Sequence, residues 1–133
     1  MPNMANITVK KADGTTDVVY TAATPSAGDR SPAIWTANAF SGVQGWRPRF
    51  EFLTQNNGAG TIRQARFKFS FPSLYTDANT GLQKLLKTVG FDGIAYLPKE
   101  MTTTEWKEAW AQLGNLLASS LVRSGIEEGY APT

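Results

Sequence analysis

Arg49-Phe50-Glu51-Phe52-Leu53-Thr54-Gln55 and, beyond Asn56-Asn57-Gly58-Ala59-Gly60, Thr61-Ile62-Arg63-Gln64-Ala65-Arg66-Phe67-Lys68-Phe69-Ser70-Phe71 decide the fold. Both runs read as strands, and the glycine-rich segment between them reads as a hairpin turn. Successive strand side chains point to opposite faces. Phe67, Phe69 and Phe71 therefore share one face, and Gln64, Arg66, Lys68 and Ser70 share the other. Such a strand has a dry side and a cationic, hydrogen-bonding side. A sheet surface built this way suits a polyanion.

Upstream, Ile7-Thr8-Val9-Lys10 and Asp17-Val18-Val19-Tyr20-Thr21 read as two short strands. Asp13-Gly14 between them signals a hairpin, because it accepts the positive φ of a tight turn. Thr24 to Pro32 is expected as a loop, and Ala33 to Ala39 as a third strand containing Trp35. Pro48 has no N–H to donate and marks a strand start, a bulge or an edge position. Downstream, Ser73 to Gln83 is expected as a long loop. Lys84 to Leu97 has apolar residues that fit a helix or a strand. Gly90 and Gly93 favour the strand, since each would cost about 1 kcal/mol inside a helix.

Thr102 and Glu105 stand in capping-box spacing and predict a helix start. Trp106, Trp110, Leu113 and Leu117 then recur at intervals of 4, 3 and 4, an apolar helix stripe. Ser119-Ser120 is expected to break this helix, and a second one ends at Gly129 before Pro132. Strands come first and helices last, with no strand–helix alternation. That order predicts an antiparallel α+β fold, and 133 residues fit a single domain over 1–133. The stripe follows a sheet that is already complete. It either covers that sheet or reaches a second subunit, and in both cases it is expected to be largely buried.

Composition narrows the chemistry. The chain has no Cys and no His. This removes disulfides, thiolate metal sites and the commonest general base. No apolar run approaches the ~20 residues of a membrane span. The start, Met1 to Asn6, lacks the basic and apolar regions of a signal peptide, so a protein made and used inside a cell is expected. Glu127 and Glu128 are adjacent and diverge by about 100° on a helix, so they do not form a catalytic pair. Asp13, Asp17 and Asp29 lie in turn or surface contexts. No glycine-rich phosphate cradle is present. The Trp106/Trp110 stripe reads as packing surface rather than a ligand box. The expectation is a protein that is not an enzyme, with no cofactor, no metal and no small-molecule substrate.

The net charge is only +2, but it is unevenly spread. Residues 44–87 hold seven basic side chains (Arg47, Arg49, Arg63, Arg66, Lys68, Lys84, Lys87) against Glu51 and Asp77, net +5. Residues 1–43 balance three against three, and 88–133 carry three basic and six acidic, net −3. Strand edges also carry Lys and Arg to discourage edge-to-edge aggregation. Charge alone therefore leaves a solvated face and a polyanion surface both open.

Ile7-Thr8-Val9-Lys10-Lys11-Ala12-Asp13-Gly14, the basic strand Arg66-Phe67-Lys68-Phe69, Leu116-Leu117-Ala118-Ser119-Ser120-Leu121 and the closing Tyr130-Ala131-Pro132 are the segments that carry a resemblance. In these, in length and in element order, the chain resembles the coat proteins of small single-stranded RNA bacteriophages, the levivirus family. The resemblance implies an N-terminal hairpin, a five-stranded antiparallel sheet and two C-terminal helices. It implies an intertwined homodimer with one continuous ten-stranded sheet, whose helices pack over the partner. Trp106, Trp110, Leu113 and Leu117 would then lie in the dimer interface. It further implies assembly into an icosahedral T=3 shell in the bacterial host cytoplasm, and a final location in the virion.

The resemblance also implies that the helix-free sheet face binds single-stranded genomic RNA. In many members that face grips a hairpin and represses replicase translation. Carried onto this chain, the RNA-binding residues would be Arg47, Arg49, Gln64, Arg66, Lys68, Thr88 and Asp92. Alternation selects Gln64, Arg66 and Lys68 independently. The position that often carries a base-stacking aromatic is Gly90 here, with Tyr96 elsewhere on the same strand. Ser73–Gln83 matches the variable loop at the shell's symmetry axes. A non-capsid dimeric RNA-binding translational regulator of similar fold is the alternative.

Overall fold

Six strands lie in one sheet in chain order: β1 (Ile7–Lys10), β2 (Asp17–Thr24), β3 (Ala33–Thr36), β4 (Arg49–Asn56), β5 (Ile62–Thr76) and β6 (Gln83–Pro98). The pairings from β1 through β5 are antiparallel. Two helices follow, α1 (Thr103–Ala118) and α2 (Ser120–Glu128). The structure is a computed structural model describing residues 2–133. It comprises two compact units that divide between Tyr96 and Leu97.

In the first unit, the β1–β2 hairpin is closed by Asp13. Its carboxylate accepts from the amides of Thr15 and Thr16 and from the Thr16 hydroxyl. The Thr16 hydroxyl and these amides hold the Asp13 carboxyl down to about 2. Gly14 takes φ 74°, as the Asp-Gly signal requires. β2 pairs β1 with its first half and β3 with its second, across a register shift between Ala22 and Thr24. β3 stops at Thr36, short of the expected Ala39, because Ala37 turns inward and bonds Pro48 through its amide. Pro48 is fully buried immediately before β4, the strand-start role expected of it.

The apolar face is a run of aromatic contacts. Trp35 meets Phe50 at 5.7 Å, Tyr20 meets Phe69 at 6.1 Å, and Phe69 lies 6.1 Å from Phe91. Phe71 packs edge-on against Phe40 at 5.2 Å. In β6, Gly93 makes room for this layer. A Cβ there would stand 2.3 Å from Phe67 Cζ and under 3 Å from both Cε atoms. Gly93→Ala must push that ring aside, so it is expected to destabilise by about 1–3 kcal/mol. Gly90→Ala is the control, because its Cβ would meet nothing within 4 Å. Urea midpoints of the two variants check this: the first falls and the second holds.

The long loop expected over Ser73–Gln83 is corrected. β5 runs on to Thr76 and β6 begins at Gln83, leaving a turn of residues 77–82. Asp77 organises it. Its amide bonds Leu82 O, its carbonyl accepts from Gly81 N, and its side chain accepts from Asn79 N and Lys84 Nζ. The Lys84 contact, with the Asn79 amide, lowers the Asp77 carboxyl below its ordinary value. Polar composition favours a loop here, but backbone hydrogen bonds to a neighbouring strand do not depend on composition. Lys84 to Leu97 is strand, as its glycines indicate.

In the second unit, Thr102 caps α1 with both arms of the capping box formed. Ser119 separates the helices. Its amide and hydroxyl both bond Leu116 O, and it adopts an extended φ/ψ. Gly129 ends α2 in the left-handed region at φ 77°. The stripe forms on α1 as its spacing predicts, but the expected burial is not met within the chain. Trp110 is 58% exposed, Leu113 41% and Leu117 48%. Trp106 is half-buried, and its indole N–H has no acceptor among the described residues.

Candidate nucleic-acid interface

Register aligns one polar row on β4 with another on β5. Arg49 stands opposite Ser70, Glu51 opposite Lys68, Leu53 opposite Arg66 and Gln55 opposite Gln64. Directly opposed residues point to the same side of a sheet, so these side chains share one face. Within a row, side chains recur about every 7 Å, close to the separation of neighbouring phosphates along a nucleic-acid strand.

The cations on and around this face are not equivalent. Arg49 Nη2 pairs with Glu51 Oε1 at 2.5 Å, so much of its charge is locally balanced. Arg66 and Lys68 form no ion pair among the described residues, and both stand at the polar surface. They are the charge left available to an incoming anion. Three of the other basic residues hold the scaffold instead. Arg63 pairs with Asp29 at 2.8 Å and bonds Thr54 Oγ1, tying the 25–32 loop to the β4–β5 hairpin. Lys84 holds the 77–82 turn through Asp77.

Arg47 is the third. Its Nε donates to Ser41 O at 2.8 Å, and its Nη1 and Nη2 reach Asn38 Oδ1 and Gly42 O. Its guanidinium is spent on the loop before β4. Of the seven positions expected on the RNA face, the structure therefore brings Arg49, Gln64, Arg66 and Lys68 together and places Arg47 apart from them. Gln64 sits at the far end of the row, with Gln55 Nε2 at 3.5 Å from its Oε1.

β6 adds Asp92, which shares a shallow depression of about 490 Å3 with Arg49, Glu51, Lys68, Ser70 and Gly90. Thr88 is exposed, four residues before Asp92 on the same strand, and does not line that depression. A smaller one of about 140 Å3 lies beside Arg66, lined also by Pro32, Leu53 and Lys68. Glu51 reaches both. Sequence reading passes over it, although alternation from Arg49 puts it on this face. Among the described residues, no group of three or more Asp or Glu is placed to hold a metal ion. No helix among them is long and apolar enough to cross a membrane.

No protein-family model and no curated protein sequence matches the chain. Solved structures do match it over nearly its full length. The virus-like particle of bacteriophage NT-214 superposes with TM-score 0.82 at 14% identity, covering 99% of this chain and 100% of that one. The virus-like particle of Beihai levi-like virus 21 gives TM-score 0.82 at 16% identity, covering 99% of each chain. The protein capsid of bacteriophage GA gives TM-score 0.74 at 15% identity, covering 96% of this chain and 95% of that one. The chain thus has the fold of levivirus-type coat proteins, an antiparallel sheet followed by two helices.

Proposed function

We propose that this chain is a structural coat protein that dimerises, builds a closed icosahedral shell and holds single-stranded genomic RNA against its polar sheet face. The full-length likeness to subunits of virus-like particles carries the reading. Two features of the chain support the dimer. β6 is a 16-residue strand at the edge of the sheet, with Leu85, Leu86, Val89 and Tyr96 all exposed. Long apolar edges are normally blunted or covered, because they template pairing with another chain. The α1 stripe is a second apolar surface left partly exposed, at Leu113 and Leu117 among others, and a patch of this kind marks an interaction site. A partner strand along β6 and a partner surface on Trp110, Leu113 and Leu117 would cover both.

RNA binding rests on Arg66 and Lys68, which lie on the polar face and form no ion pair among the described residues, Glu51 opposite Lys68 being paired with Arg49 instead. Repression of replicase translation through an RNA hairpin belongs to the same reading. The work of the protein is assembly, with no catalytic step, no cofactor and no small-molecule substrate. Its place is the virion, after assembly in the bacterial host cytoplasm. Electron microscopy of the purified protein tests this. Uniform closed particles of T=3 size are expected. A population of small dimers that never assembles would instead match a free RNA-binding regulator.

A further inference from the structure

A face that met only phosphates would carry no free carboxylate, because like charges repel. The polar face nevertheless presents two carboxylates, one of them unpaired. Glu51 is offset by Arg49 at 2.5 Å. Asp92 has no hydrogen bond or ion pair among the described residues, and it lines the same depression as Lys68. An uncompensated carboxylate on an RNA-facing surface is better suited to a base than to the backbone.

Space for a base lies beside it. Gly90 precedes Asp92 by two residues, hence on the same side of β6. A Cβ at Gly90 would meet nothing within 4 Å, so neither packing nor backbone conformation demands glycine there. What glycine does is leave the depression of about 490 Å3 open.

The donor pattern then selects the base. An ionised carboxylate is acceptor-only, with two oxygens side by side. Guanine alone presents two adjacent donors, N1–H and the N2 amino group, on its Watson–Crick edge. Adenine and cytosine set a ring-nitrogen acceptor next to their amino group, and uracil sets its single N–H between two carbonyls. Each of those three would aim a lone pair at the second carboxylate oxygen. Proteins read unstacked RNA bases on these edges.

We propose that the depression beside Gly90 receives an unstacked guanine, whose N1–H and N2 amino group donate to the Asp92 carboxylate while Lys68 holds the adjoining phosphate. This deepens the RNA reading above and rests on it.

The test uses the full-length protein in its unassembled form, with fluorescently labelled RNA octamers of otherwise identical sequence. The central base is guanine, inosine, adenine, cytosine or uracil. Anisotropy titrations are expected to favour guanine by about tenfold over adenine, cytosine and uracil, the range of one good bidentate contact. Inosine, which lacks the N2 amino group, is expected to fall between. Asp92→Asn exchanges one acceptor for a donor. It should erase the guanine preference while leaving adenine octamers bound at least as well, since a negative charge is gone. Gly90→Val fills the depression with the carboxylate intact and should also erase the preference. Unchanged circular dichroism and urea midpoint would show that this variant still folds. Equal binding of all five octamers by the parent, or a preference that survives Asp92→Asn, overturns the guanine site and leaves the RNA reading standing. Failure of every octamer to bind would overturn both.

Discussion

Trp110→Ala is expected to eliminate the proposed particles and to shift the proposed dimer to dissociated chains. Trp110 is 58% exposed within its own chain, so more than half of its surface lies outside that chain's packing. The loss falls on association. An aromatic anchor buried in an interface typically contributes about 2 kcal/mol or more. In the proposed twofold dimer each substitution acts twice, which weakens association by about 4 kcal/mol, roughly a thousandfold. Leu113 and Leu117, at 41% and 48% exposed, lie on the same stripe and should behave alike with smaller effects. Glu108→Ala is the control on the opposite side of α1, where its carboxylate accepts from Gln112 four residues on. Sedimentation velocity and electron microscopy read both properties. Normal particles from Trp110→Ala in normal yield would count heavily against the stripe as the dimer interface.

The double substitution Arg66→Ala with Lys68→Ala should weaken RNA binding at every sequence and flatten its salt dependence. Phosphate contacts dominate affinity and release counterions. Each neutralised phosphate adds about 0.7 to 1 to the log–log salt slope, so losing two should remove about 1.4 to 2. Neither residue is in an ion pair among the described residues, and neither faces the phenylalanine layer, so the fold should persist. Arg47→Ala makes an informative contrast. Its guanidinium is bonded to Ser41 and Asn38. It should lower thermal stability and leave the salt slope unchanged. A double variant with the parent's affinity and slope would show that the polar sheet face is not where RNA binds.

Much of this architecture is legible in the residues. Alternation in Ile62–Phe71 separates the phenylalanine face from the cationic one, and the observed register keeps them apart. The Asp13-Gly14 hairpin, the Thr102 capping box, the break at Ser119 and the stop at Gly129 all depend on interactions spanning a few residues. Such interactions are written locally. The displaced boundaries have a different origin. Nothing local marks Pro72, Ser73 and Thr76 as strand; they continue β5 past the end of its pairing with β4 at Ser70, on the side where β6 is its neighbour. Of the candidate site, Arg66, Lys68 and Gln64 are legible by alternation alone. Arg49 and Asp92 enter through the family resemblance, and the structure brings them to the same depression as Lys68.

Residue order alone is enough to assign most strands and both helices, to tell which sides of them are apolar, and to place the positive charge in the middle of the chain. It does not tell which of those charges stay available. Arg47, Arg49, Arg63 and Lys84 are as basic as Arg66 in the sequence, yet folding supplies each of them with an acceptor or a counter-charge. The edge position of β6 and the partial exposure of the α1 stripe are likewise visible only once the chain is folded. Periodicity reports that a surface is apolar. What covers that surface depends on elements far away in the chain, or in another chain, because packing is a property of neighbours in space.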